Sequence, residues 1–199
     1  MPDRFYGKYR GRVSDNLDPL ALGRLMITAT GPLGAAAINW AMPCVPYAGD
    51  GVGFFMIPPI DAWVWIEFEG GDLNYPIWSG CFWAEGEVPA QPAIPTTRML
   101  KTNACTLILN DQDGEGGFSL TVNPPAADLP IQLTASSAGR LSLTVGSTSI
   151  ILRDTGVTIT ADTGIIEVTP EGVSFSHGAT SVVVTEPLVL VKDGALDII

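Results

Sequence analysis

An all-β chain is predicted, with a small closed barrel in its first part and an elongated array of short strands in its second. Three observations predict it. No long stretch spaces its apolar residues helically, and 22 Gly and 16 Pro punctuate 199 residues with turns. From residue 140 onward, pairs of apolar residues recur in octads.

The barrel is expected over residues 1–84. Tyr6 to Val13 and Gly23 to Thr30 read as strands joined by the turn-forming cluster Ser14 to Pro19. Gly31 to Tyr47, broken by Pro32, Pro43 and Pro46, reads as irregular. Gly53 to Ile57 and Ala62 to Glu69 form the clearest strand pair, separated by Pro58-Pro59. In the second of them Val64, Ile66 and Phe68 share one face and Trp63, Trp65 and Glu67 the other, the alternation that fills a barrel with every second residue. Gly70-Gly71 then turns the chain into Tyr75 to Trp83. Five short strands in about eighty residues fit a barrel of OB size. In so small a barrel most of Trp40, Trp63, Trp65, Trp78 and Trp83 are expected in the core, with one or two left for an interface.

The segments YGKYRGRV (6–13), DPLALGRLMI (18–27), WAMPCVPYAGDGVGFFMIP (40–58), VWIEFEGGD (64–72) and YPIWSGCFW (75–83) resemble, in order and throughout, the OB domain of contractile-tail spike proteins. That family includes phage baseplate assembly protein V, the Vgr spikes of type VI secretion and the spikes of extracellular contractile injection systems. Pro59-Ile60-Asp61 departs from its pattern, where an acidic residue and a Gly are expected.

Residues 85–98 carry Pro89, Pro92 and Pro95 and read as a semi-rigid connector. Residues 99–187 are the repeat region. Leu141 and Leu143, Ile150 and Leu152, Val157 and Ile159, Ile166 and Val168, Val173 and Phe175, then Val182 and Val184 mark one face. Their onsets step by nine and seven in turn, so the period is sixteen, two strands per repeat. Gly156, Gly164 and Gly172 stand eight apart. A lone coil of this period is thin, whereas three chains about one axis place apolar corners together and give each strand edge a neighbour. A single-chain two-sided solenoid is the structural rival. The resemblance implies the threefold form: in the family the OB domain leads into a triple-stranded β-helix needle, and Lys101-Thr102 with Thr106 to Asp111 resemble its start. Such a rod resists unfolding one chain at a time. Residues 188–199 leave the octad pattern and form the needle tip.

Chemistry-bearing residues are few. His177, the single histidine, follows Val173 and Phe175 in alternation; three copies on an axis offer a metal site, and a histidine at a turn before Gly178 is the plain alternative. Some spikes of the family hold an axial iron with His-x-His, and here Phe175 takes the first position. Asp111, Asp113, Glu115 and Gly116 partly match a calcium loop, but Val122 stands where its closing Glu belongs, so a hairpin turn is expected. Cys44, Cys81 and Cys105 lack metal-ligand spacing and are expected to be buried thiols. No catalytic set assembles, and acid pairs such as Glu67/Glu69 and Asp111/Asp113 give no sign of a cleft. No enzyme and no cofactor are expected.

The net charge is −11; residues up to 83 hold eight acids and five bases, the remainder thirteen and five. That balance opposes binding to phosphate backbones. It weighs against the alternative of an OB nucleic-acid-binding module with a multimerising tail. A glycan-binding β-solenoid would need acids clustered on one outward face, which the octads lack. No run approaches the ~20 apolar residues of a membrane span, and Met1 to Arg4 lacks a signal-peptide core.

The resemblance therefore implies a structural, membrane-puncturing spike: a homotrimer on a trimeric hub at the head of an inner tube, touching the target membrane only transiently. Arg10, Arg12, Arg24 and Trp40 are assigned to the hub contact, and Leu188, Val189, Leu190 and Val191 to a PAAR-type tip protein. It also implies assembly in the cytoplasm and residence in a phage-tail-like particle.

Overall fold

The computed structural model describes residues 4–29, 37–187 and 189–192. The chain divides into two compact units, Met1–Val88 and Pro89–Ile199.

In the first unit β1 (Tyr9–Asp15), β2 (Leu25–Ala29), β3 (Ala37–Pro43), β6 (Trp63–Phe68) and β7 (Pro76–Cys81) close into a barrel in the order β1-β2-β3-β7-β6. All contacts are antiparallel except β3 with β7, which is parallel. This five-stranded Greek-key closure is that of an OB barrel. Val13, Leu25, Ile27, Ala41, Val64 and Ile66 are essentially inaccessible and form its core with Phe68 and Trp78. Each such side chain contributes about 1.5–3 kcal/mol by leaving water. Gly11 pairs with Ala29 and Val64, and a Cβ there would run into Ile27 and Ile66.

Two segments differ from expectation. The stretch read as irregular contains β3, because Ile38 and Ala41 supply inward positions that close the barrel. Gly53 to Ile57 is not a barrel strand. Only a small hairpin, β4 (Ala48–Gly49) with β5 (Val52–Gly53), forms there, and residues 54–58 continue without strand pairing.

In the second unit β8 (Thr97–Lys101), β9 (Cys105–Asn110), β10 (Gly117–Val122), β11 (Ile131–Ser136), β12 (Arg140–Val145), β13 (Thr148–Arg153), β14 (Gly156–Ala161), β15 (Gly164–Thr169), β16 (Gly172–His177), β17 (Thr180–Val184) and β18 (Val189–Lys192) pair strictly in sequence order. They make one antiparallel sheet of eleven strands. From β12 to β17 every six-residue strand is followed by a two-residue turn, which is the octad in structural terms. Gly146, Asp162 and Gly178 occupy the left-handed backbone region that such turns need.

Antiparallel reversal explains the alternating steps of nine and seven. Leu141 lies opposite Leu152, Leu143 opposite Ile150, Ile150 opposite Ile159 and Leu152 opposite Val157. Two unbroken columns result. One runs Leu141, Leu152, Val157, Val168, Val173, Val184; the other Leu143, Ile150, Ile159, Ile166, Phe175, Val182. The strand edges from β9 to β17 are completed within the chain, not by other chains, since tight turns let each strand fold back on its predecessor. Apart from the outer edges of β8 and β18, it is the sheet's faces that remain open.

Candidate interaction surfaces

The sheet's exposure is inverted. Leu152 at 41%, Val168 at 45% and Phe175 at 47% lie open, together with Leu141, Leu143, Ile150, Ile159 and Val184. On the opposite face Thr144, Ser149, Thr158, Thr160, Ser174 and Ser176 are half-buried, and Ser142 is buried with its hydroxyl 2.6 Å from that of Thr134. Ile151, Ile165 and Val183, which share that face, are half-buried as well, so exposure follows the face and not side-chain length. The apolar columns thus have nothing over them within their own unit, a state that costs free energy unless another surface covers them.

A third column flanks them on the same face: Val145, Thr148, Ala161, Gly164, His177 and Thr180. It shrinks at Ala161 and Gly164. A groove of about 380 Å³ opens there, lined by Ile159, Ala161, Gly164, Ile166, Phe175 and His177. His177 therefore points to the apolar face, as its alternation predicts; it is exposed, with Nδ1 3.3 Å from Thr163 Oγ1. As a metal centre the donor set does not fit within one chain. There is one imidazole, Phe175 stands beside it, and the described residues gather no group of three His, Cys, Asp or Glu. No metal chemistry is derived from it.

On the barrel, the residues assigned to a hub fall into two groups. Arg10 lies over Trp65 and Phe82, with its guanidinium carbon 5.6 Å from either ring centre. Arg12 lies 4.7 Å over Trp63. Phe82 touches both Trp63 and Trp65, so β1, β6 and the residue after β7 present a cationic and aromatic outer surface. Arg24 sits apart from this ladder, over Trp40 at 5.5 Å and ion-paired with Asp18. The expectation that most tryptophans are core is corrected. Trp78 alone is in the core, its Nε1 donating to Gly23 O at 3.1 Å; Trp40, Trp63 and Trp65 are half-buried and Trp83 is 63% exposed. Outward positions on a closed barrel have no second layer to pack against.

The thiols differ from expectation too. Cys44 and Cys81 are exposed at the ends of β3 and β7, and Cys105 is half-buried; none is bridged. Although Cys81 is exposed as a residue, partial desolvation of its sulfur by neighbouring atoms pushes the thiol up from its ordinary value. The calcium-like segment is the hairpin turn between β9 and β10. Asn110 Oδ1 accepts from Gln112 N, Asn110 Nδ2 donates to Glu115 O, and Asp111 pairs with Arg98. Glu67 is held below the usual range by Lys8, 2.7 Å away, the opposite of what a proton-donating acid requires. Of the tip residues, Val189, Leu190 and Val191 lie exposed on β18; Leu188 is outside the described residues.

Sequence reasoning missed a ledge at one end of the barrel. Phe54, Phe55 at 75% exposure and Met56 line, with Leu22, a groove of about 410 Å³, and Leu17 shares a neighbouring hollow with Phe55. The only signal was negative: Phe54-Phe55-Met56-Ile57 is apolar without alternation and ends at Pro58. No described helix is long and apolar enough to cross a membrane.

Comparison with protein families finds that residues 9–83 match the Type VI secretion system/phage-baseplate injector OB domain. Among curated proteins no match was found. The matched residues begin with β1 and end two residues after β7, spanning the closed barrel.

Proposed function

Taking residues 9–83 as an injector OB domain of the phage-baseplate and type VI kind, we propose that this chain is the structural puncturing spike of a contractile injection system. In this reading the barrel seats on the hub, the sheet forms a threefold needle, and sheath contraction drives the needle through a target envelope.

The observation that carries the reading is the uncovered double column of aliphatic side chains along the sheet. Three copies about a common axis bury those columns together and leave outward the opposite face, mostly Ser and Thr with Ile151, Ile165, Val183 and Glu167 among them. The result is a rod whose strands hydrogen-bond within each chain and whose dry interior is shared among chains. Unfolding one chain then exposes all three, which gives the kinetic resistance a driven rod needs. The Arg10 and Arg12 ladder is the surface offered to the hub, where flat guanidinium groups supported on rings suit acidic or aromatic partners. Val189, Leu190 and Val191 suit a capping tip protein. Mechanical work is the role, with no reaction assigned to any residue.

Light scattering after gel filtration tests the reading. A mass near three times 21.0 kDa, resistant to SDS before boiling, supports it. A stable monomer overturns the threefold needle and removes the mechanical argument with it.

A further inference from the structure

The octad glycines do not share one cause. Gly156 and Gly172 hold φ of 139° and 153°, and a Cβ on either would run into the carbonyl oxygen of Val168 or Val184. Gly164 occupies the same phase of the repeat, yet its φ lies outside the left-handed region. A Cβ there would lie 3.3 Å from Ala161 O, a tight contact that a shift of a few tenths of an ångström relieves, and 3.7 Å from His177 Nδ1, an ordinary one. The backbone demands glycine far less at 164 than at 156 or 172, where a Cβ would come within 2.0 or 2.2 Å of a carbonyl oxygen. What glycine does there is leave the apolar face open, and with Ala161 across the strand pair it makes the groove.

One side chain near it is unlike its column. Phe175 is the single Phe, Tyr or Trp of the octads, stands 47% exposed on the groove's border and projects beyond the Val and Ile around it. From these two features we propose that Phe175 of one copy inserts into the Gly164 groove of the next, an interlock that fixes copies of this chain in register. The inference rests on the threefold reading and adds a specific contact to it.

Three arguments make a second copy the occupant. The face from β12 to β17 carries no Asp, Glu, Lys or Arg in its three columns, so no charged partner is favoured. Any partner must also present apolar residues at the inter-strand spacing of about 4.8 Å over many strands, which a copy of the same sheet does automatically. Finally, nine of the twelve residues in the two columns are exposed, a contiguous apolar patch of the kind that marks an interface and not scattered surface residues. Rotation about an axis along the columns preserves each residue's level. Phe175 of a neighbour therefore arrives one strand from Gly164, at the height of the groove.

The test compares the wild-type chain with Gly164→Leu, Phe175→Ala and the double variant, by light scattering and by the temperature at which the SDS-resistant species dissociates. Filling the groove and removing the ring should each lower that temperature. Their combination should recover much of the loss, because the side chain introduced at position 164 then occupies the space the ring has left. Phe175→Ala introduces no new volume, so its loss is not one of forced packing. A trimeric wild type with an unaltered Gly164→Leu, or losses that simply add in the double variant, would overturn the interlock and leave the threefold needle standing. A monomeric wild type overturns both.

Discussion

Asp18 grips Arg24 with both carboxylate oxygens: Oδ1 lies 2.6 Å from Nη2 and 3.0 Å from Nε, and Oδ2 lies 3.1 Å from Nε. The backbone N–H groups of Leu20, Leu22 and Arg24 donate to the same carboxylate. One side chain thereby shapes the whole β1–β2 loop and aims Arg24 at the Trp40 ring.

This cluster makes the barrel acid-sensitive in a stated window. The Arg24 guanidinium first, and then the three N–H groups, hold the Asp18 carboxyl well below its ordinary 3.8, against the opposing effect of desolvation. A depressed folded-state value means that the stabilisation is fully present above the unfolded value, about 4, and is lost as pH falls below it. Thermal midpoints measured from about pH 7 to about pH 2 should fall more steeply below pH 4 for the wild type than for Asp18→Asn. Parallel curves would show that the pair contributes nothing to folding.

The needle's glycines sort by cause. Gly156→Ala and Gly172→Ala force a Cβ into φ of 139° or 153° against a carbonyl of the adjoining strand. Each should destabilise by more than about 2 kcal/mol, since strained backbone alone costs about 1–3. Gly178→Ala, at φ 59° with open space around it, should cost about 1–2 kcal/mol. Urea midpoints followed by circular dichroism rank the three; an equal ranking would refute the carbonyl argument.

In the barrel, Trp78→Phe keeps an aromatic ring but removes the pyrrole half of the buried indole, and with it the hydrogen bond from Nε1 to Gly23 O. It leaves a buried carbonyl without its donor, so a loss of about 1–3 kcal/mol is expected. Gly11→Ala overfills the core between Ile27 and Ile66 and should cost a similar amount, about 1–3 kcal/mol. Intrinsic fluorescence during chemical unfolding reads both, and a neutral Gly11→Ala would mean that the barrel can expand.

Much of this architecture was legible because periodicity survives translation into structure. The alternation of Val64, Ile66 and Phe68 against Trp63 and Trp65 is the core and outer wall of β6. The steps of nine and seven are the signature of antiparallel hairpins with two-residue turns. Segments without a period were misread: β3 hides among prolines, and Phe54 to Ile57, apolar throughout, is not a strand. The candidate surfaces were legible in part. Arg10 and Arg12 could be named through the family resemblance, but their seats on Trp65 and Trp63 depend on the β1–β6 register, which no local pattern encodes. The tryptophans misled because side-chain size argues for burial while strand parity decides it.

Adjacent residues on β13 offer the sharpest separation of a covered face from a bare one. Ile150 lies in an apolar column, and Ser149, one residue before it, faces the hydroxyl side opposite Thr144 and Thr160. If the columns meet in an assembly, Ile150→Asp brings uncompensated carboxylates into a dry interior at several kcal/mol each. Assembly should then be lost, while Ser149→Asp leaves it intact. If the sheet works as a bare monomer, the order reverses: Ile150→Asp replaces an exposed aliphatic group with a solvated charge and should raise solubility, and Ser149→Asp, in the more occluded position, becomes the costlier change. Solution mass and thermal midpoint of the two variants, measured side by side, separate these cases by sign and not merely by size.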